Sequence, residues 1–119
     1  MEEALVKRIL PHSSESERAV VGSMMMDADA IAAASEIITG EDFYQRQYGV
    51  LFDAMVELYS EGKPVDLITL QEKLKTRDVP AELTSVEFIS GLINDVPTSI
   101  NVRHYARTVA EKATLRRLI

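Results

Sequence analysis

The chain has 119 residues and 13.3 kDa, is 46% hydrophobic and 27% charged, and carries a formal net charge of −6. That length fits one domain with a modest core and leaves no room for a nucleotide-hydrolysing motor beside it. No cysteine is present, which excludes disulfides and thiolate metal sites; no apolar run reaches the ~18 residues of a membrane span and no basic leader opens the chain, so it reads as soluble and cytoplasmic.

Residues 1–13 read as a flexible N-terminal segment, and helical signals dominate from Ser14 onward. Ser14 and Glu17 have the spacing of a capping box, after which Val20, Val21, Met24 and Met25 recur on one helical face. Asp27 is placed to cap a second helix with Ile31, Ala34 and Ile38 as its stripe. Thr39 to Tyr44 reads as a connector broken at Gly40, with Phe43 and Tyr44 as core anchors. A third helix is expected from about Gln45 to Ser60, sending Tyr48, Leu51, Phe52, Met55, Leu58 and Tyr59 inward. Gly62 and Pro64 stop it, because glycine accepts a left-handed cap and proline cannot extend a helix. Asp66 opens a fourth helix with Leu67, Leu70 and Leu74, and Asp78 to Leu83 is a loop containing Pro80.

Thr84 and Glu87 form a second possible capping box, followed by Val86, Ile89 and Ile93 on one line with Phe88 and Leu92 beside it. This helix is apolar over a wide arc. Pro97 ends it, and Thr98 or Ser99 caps a last helix running to Ile119. No sustained strand alternation or fixed repeat occurs, so the expected fold is all-α.

Two features of the last helix stand out. Val102, Ala106, Val109 and Ala113 make a packing seam, yet its next position is Arg116 or Arg117, while Leu115, Leu118 and Ile119 have rotated off that face. Either the end frays, or it packs against something other than this domain's core; the abrupt Leu118-Ile119 terminus reads as one cut from a longer polypeptide. Charge is also divided: residues 1–96 carry 8 basic and 18 acidic side chains, or −10, and residues 97–119 carry 5 and 1, or +4. Basic residues towards a helix C-terminus suit the macrodipole. The other reading is a docking surface for an acidic partner or for a neighbouring copy.

Chemistry is sparse. His12 and His104 stand far apart without zinc-motif spacing. Asp27 and Asp29 sit at a helix start, where capping explains them better than metal binding. Gly62-Lys63 fails as a phosphate loop, since the upstream glycine position is Glu57 and Pro64 follows the lysine. No catalytic, cofactor-binding or metal-ligating residue is assigned. Arg103, Arg107, Lys112, Arg116 and Arg117 are too few against −10 for strong independent DNA binding. Residues alone lead to a helical interaction or assembly module, with an unrelated adaptor or a weak DNA-binding module as the alternative.

Several fragments in order carry a more specific likeness: Glu17-Arg18-Ala19-Val20-Val21-Gly22, Glu41-Asp42-Phe43-Tyr44, Phe52-Asp53-Ala54-Met55, Gly62 through Leu70, Val96-Pro97-Thr98-Ser99 with Asn101, Tyr105-Ala106-Arg107, and Glu111-Lys112 leading into Leu115 through Ile119. Through them the chain, from about Pro11 to Ile119, resembles the N-terminal domain of the bacterial replicative DNA helicases, the DnaB family. It departs from the common pattern at Arg18, at His104 and at Thr84-Ser85. The resemblance implies a globular helical head over residues 14–83 and a C-terminal helical hairpin within 84–119, its helices at about 85–96 and 99–117, running toward a linker and a RecA-like motor. It implies self-association, as a dimer in isolation and a hexameric ring in the intact protein, expected through Val86, Ile89, Ile93, Val102 and Val109. It further implies primase docking at Phe88 and Ile119, a possible helicase loader as partner, and ATP, Mg and DNA handled by the motor.

Overall fold

The structure is a computed structural model, and it describes residues 9–96 and 98–119. Residues 1–8, most of the expected flexible segment, and Pro97, the expected stop after the fifth helix, lie outside the described residues. Helix α1 spans Ser14–Met26 and is capped by Ser13, whose hydroxyl accepts the Ser16 N–H at 3.2 Å. The cap therefore falls one residue earlier than expected, and Glu17 is released from any capping box. Asp27 caps α2 (Ala28–Ser35) through the Asp29 N–H at 3.0 Å, as its spacing predicts. A short 3-10 turn, Gly40–Asp42, then leads to α3 (Arg46–Ser60).

Helix α3 ends in a Schellman arrangement. Gly62, at φ 74°, follows the cap; its N–H bonds the Tyr59 carbonyl, and the Lys63 N–H bonds the Leu58 carbonyl, each at 3.0 Å. Asp66 caps α4 (Leu67–Lys75) in a reciprocal box with Thr69. The expected loop after α4 contains a 3-10 turn, Ala81–Thr84. Helix α5 (Val86–Asn94) is capped by Ser85, not Thr84, through the Phe88 N–H at 3.1 Å. Thr84 instead donates to the Ala81 carbonyl at 2.7 Å. Helix α6 (Val102–Arg117) begins later than either expected cap, after Asn101, because Thr98 and Ser99 are occupied in the preceding turn, where the Thr98 hydroxyl accepts the Ile100 N–H.

Helix α1 is the centre of the bundle, α4 packs on α3 rather than on α1, and no strand occurs among the described residues. Helices α6, α2, α5 and α3 all pack on it. Val20, Val21, Met24, Ile31, Leu51, Phe52, Met55, Leu70, Leu74, Ile89 and Leu92 fill the space between, each burial contributing on the order of 1.5–3 kcal/mol. Tyr59, expected inward, is 41% exposed, while its neighbour Leu58 in the same turn is buried.

All-α architecture is as expected. Helices α5 and α6 scarcely touch; each leans on α1, and α6 also crosses α2 and the Gly40–Asp42 turn. The cause lies in the two apolar faces. Ile89 and Leu92 of α5, and Val102, Ala106, Val109 and Ala113 of α6, are all buried in the core that α1 shares.

Candidate functional site

The last turns of α6 show where its seam goes. Arg116 occupies the next seam position and continues it with polar contacts, its guanidinium donating to the Pro11 carbonyl at 2.9 Å and the Asp42 carbonyl at 2.5 Å. The same group lies 5.6 Å from the centre of the Tyr44 ring, which His12 stacks upon at 3.9 Å. Arg117 pairs with the Asp42 carboxylate, and Arg103 with Glu36 at 3.3 Å. Three of the five basic side chains of the C-terminal segment thus hold this chain's own acidic head. Arg116 and Arg117 do lie in the last turn, as the macrodipole reading expects, but their contacts are made within this chain. Rotation of the apolar face is real: Leu115, Leu118 and Ile119 form an exposed stripe, the last two 78% and 72% exposed.

Beneath this junction, Glu17 is 1% exposed. Its carboxylate accepts the Tyr44 N–H at 2.8 Å and the Gln45 N–H at 3.1 Å. These are free donors just ahead of α3, whose own cap residue Gln45 supplies no side-chain bond. Glu17 therefore serves as an anionic cap delivered from another helix, complementing the positive end of the α3 dipole.

A groove of about 880 Å³ opens beside α5. Helix α3 contributes Arg46, Gln47 and Val50; the turn after α4 contributes Arg77, Asp78, Val79 and Pro80; Glu82, Leu83, Ser85, Glu87 and Phe88 complete it. The three segments meet because Leu83 is buried between α4 and α5 and because Gln71 donates to the Thr84 carbonyl at 2.5 Å. Phe88 is half-buried, its ring nearly parallel to Tyr48 with centroids 6.4 Å apart. Arg77 bonds Glu57 outside the groove and holds that carboxyl below the usual carboxylate range. Asp78, Glu82 and Glu87 are exposed.

The residues expected to act together are dispersed. Phe88 lines the groove, while Ile119 stands exposed at the far end of α6 and is not part of it. Of the residues expected at a self-association face, Ile89, Val102 and Val109 are buried within this chain and unavailable to another copy; their apolar faces are spent on α1. Val86 is 50% exposed and Ile93 half-buried. His12 stacks on Tyr44 and His104 lies edge-on to Tyr105. No group of three or more His, Asp or Glu side chains converges as a metal site among the described residues, and no described helix is long and apolar enough to cross a membrane. Sequence reasoning missed the groove, since its lining comes from segments up to about forty positions apart, and it missed Glu17, whose only signal was a carboxylate at an inward helical position.

Fold and surface together define a small all-helical domain with a recessed, partly apolar groove. Residues 9–111 match the family described as "DnaB-like helicase N terminal domain". The chain is 43% identical over its whole length to the replicative DNA helicase DnaB of Geobacillus stearothermophilus and 36% identical to the replicative DNA helicase DnaC of Bacillus subtilis, in each case spanning 26% of the relative. Its fold superimposes with a TM-score of 0.87, at 36% identity, on the crystal structure of the N-terminal domain of DnaB helicase from Mycobacterium tuberculosis, covering 92% of this chain and 76% of that one. The N-terminal domain of DnaB helicase from Helicobacter pylori, described together with its interactions with primase, shares the fold at a TM-score of 0.73 and 20% identity, covering 87% of this chain and 80% of that one. The chain belongs to the DnaB family and is a DnaB-type helicase N-terminal domain. It spans about a quarter of the curated helicases it matches.

Proposed function

We propose that this domain forms part of the collar of a hexameric replicative helicase, where it contributes to subunit assembly and docks primase during DNA replication. In this reading, ATP and Mg are bound, and DNA is unwound, by the RecA-like part of the cytoplasmic helicase, and a helicase loader is a further partner of the whole. The observation that carries primase docking is the groove beside α5: a half-buried aromatic, Phe88, at a concavity large enough to seat a partner's side chains. Titrating the domain with its cognate primase tests it. Phe88→Ala is expected to weaken binding about tenfold or more, and unchanged affinity would remove Phe88 from the docking site.

Self-association is proposed through an exposed apolar surface, the Leu115, Leu118 and Ile119 stripe, rather than through the buried seam. Sedimentation velocity on the Leu118→Glu, Ile119→Glu double variant tests this: a shift of the isolated domain from dimer to monomer is expected. A monomer before any substitution would count against it. The DNA-binding alternative is weaker in the folded chain, since Arg103, Arg116 and Arg117 are engaged by the head.

A further inference from the structure

We infer that the Phe88 groove selects a basic occupant: a segment of a partner protein that presents an apolar side chain flanked by lysine or arginine. The inference rests on the docking reading of the same groove and specifies the chemistry it recognises. The apolar part of the lining, chiefly Val50, Leu83 and Phe88, accommodates an anchor side chain but carries little directional information. Direction comes from the charged rim. Asp78, Glu82 and Glu87 are all exposed, and none forms an ion pair with another described residue. Of the two arginines in the lining, Arg77 is bonded to Glu57, which stands outside the groove. Arg46 alone is left to offset three carboxylates. The rim is acidic on a chain that is itself at −6, so approach of cations is favoured over long range and approach of phosphate is opposed.

Charge complementarity also separates a different protein from a second copy as the occupant. A copy's most basic segment is its C-terminal helix, and there Arg103, Arg116 and Arg117 already bind the copy's own head. The remainder of a copy is acidic, at −10 over residues 1–96. Two acidic surfaces brought together repel.

The test is to titrate the chain with cognate primase at about 0.05 M and about 0.5 M salt, a range across which the Debye length falls severalfold. The unmodified chain is compared with Phe88→Ala and with the triple variant Asp78→Asn, Glu82→Gln, Glu87→Gln. All three carboxylates are exposed, so unaltered thermal unfolding is the expected control. The triple variant is expected to bind about tenfold more weakly at low salt, mostly through a slower association rate, and to match the unmodified chain at high salt. Wild-type affinity in the triple variant, with loss in Phe88→Ala, would overturn the basic-occupant inference and leave groove docking standing. Wild-type affinity in both variants would overturn the docking reading and this inference together. Tighter binding by the triple variant, or self-association abolished by it, would also overturn the inference, the latter by making a second copy the occupant.

Discussion

Glu17 shows what a single acidic side chain has to accomplish to sit inside a core. Desolvating a carboxylate costs several kcal/mol, and both of its oxygens recover part of that through main-chain N–H groups that would otherwise be unpaired. Glu17→Ala strands both donors, and a loss of about 2–4 kcal/mol is expected, read as a lower urea midpoint; an unchanged midpoint would mean that water replaces the carboxylate. Glu57 is the surface counterpart. The hydrogen bond from Arg77 holds its folded-state pKa below the ordinary value of 4.5. A lowered carboxylate pKa gives stability that is fully present above the unfolded value and lost as pH falls through the folded one. Glu57→Gln is therefore expected to lower stability at neutral pH by less than about 1 kcal/mol, because the pair is solvated. The two unfolding curves should converge as pH falls below the folded-state value; a gap that widens in acid would refute the assignment.

At the scale of helices, spacing between α1 and α5 is set by Gly22. A Cβ there would lie 2.5 Å from the Leu92 carbonyl oxygen and 2.6 Å from Val96 Cγ2, so Gly22→Ala is expected to cost about 1–3 kcal/mol by forcing the helices apart. Gly91, in α5, meets nothing within 4 Å of an added Cβ; Gly91→Ala is expected to stabilise by up to about 1 kcal/mol through helix propensity. Opposite shifts in thermal midpoint would confirm the pair, and an unchanged or raised midpoint for Gly22→Ala would show that the α1–α5 contact is slack. These helices were legible in the sequence wherever their signals are local. Asp27, Asp66 and Gly62 act within four residues of themselves, and each does what its spacing predicts. Ser13 displaced Ser14 because Glu17, the other half of the expected box, is drawn to α3. What packs on what is less local: spacing reveals that α5 and α6 have apolar faces, but not that α1 is the surface both of them cover.

For the molecule as a whole, order and spacing of short fragments identified the family, whereas the groove depended on bringing 46–50, 77–83 and 85–88 together. Long-range attachment of α6 is similarly tertiary. Arg116→Ala should release its last turn, with hydrogen exchange accelerating in residues 114–118 and little change in the remainder of the helix; unchanged exchange would show that the buried seam alone fixes the end. Arg116 and Glu17 share a further property. Arg116 bonds the carbonyls of Pro11 and Asp42, and Glu17 bonds the N–H groups of Tyr44 and Gln45. Both ties are addressed to peptide groups, which every residue carries, proline lacking only the N–H. The two ends of each tie are therefore unequal: the side chains at 17 and 116 are fixed by the chemistry they deliver, while Gln45, at a receiving end, supplies to the Glu17 tie only a backbone N–H that every residue but proline carries.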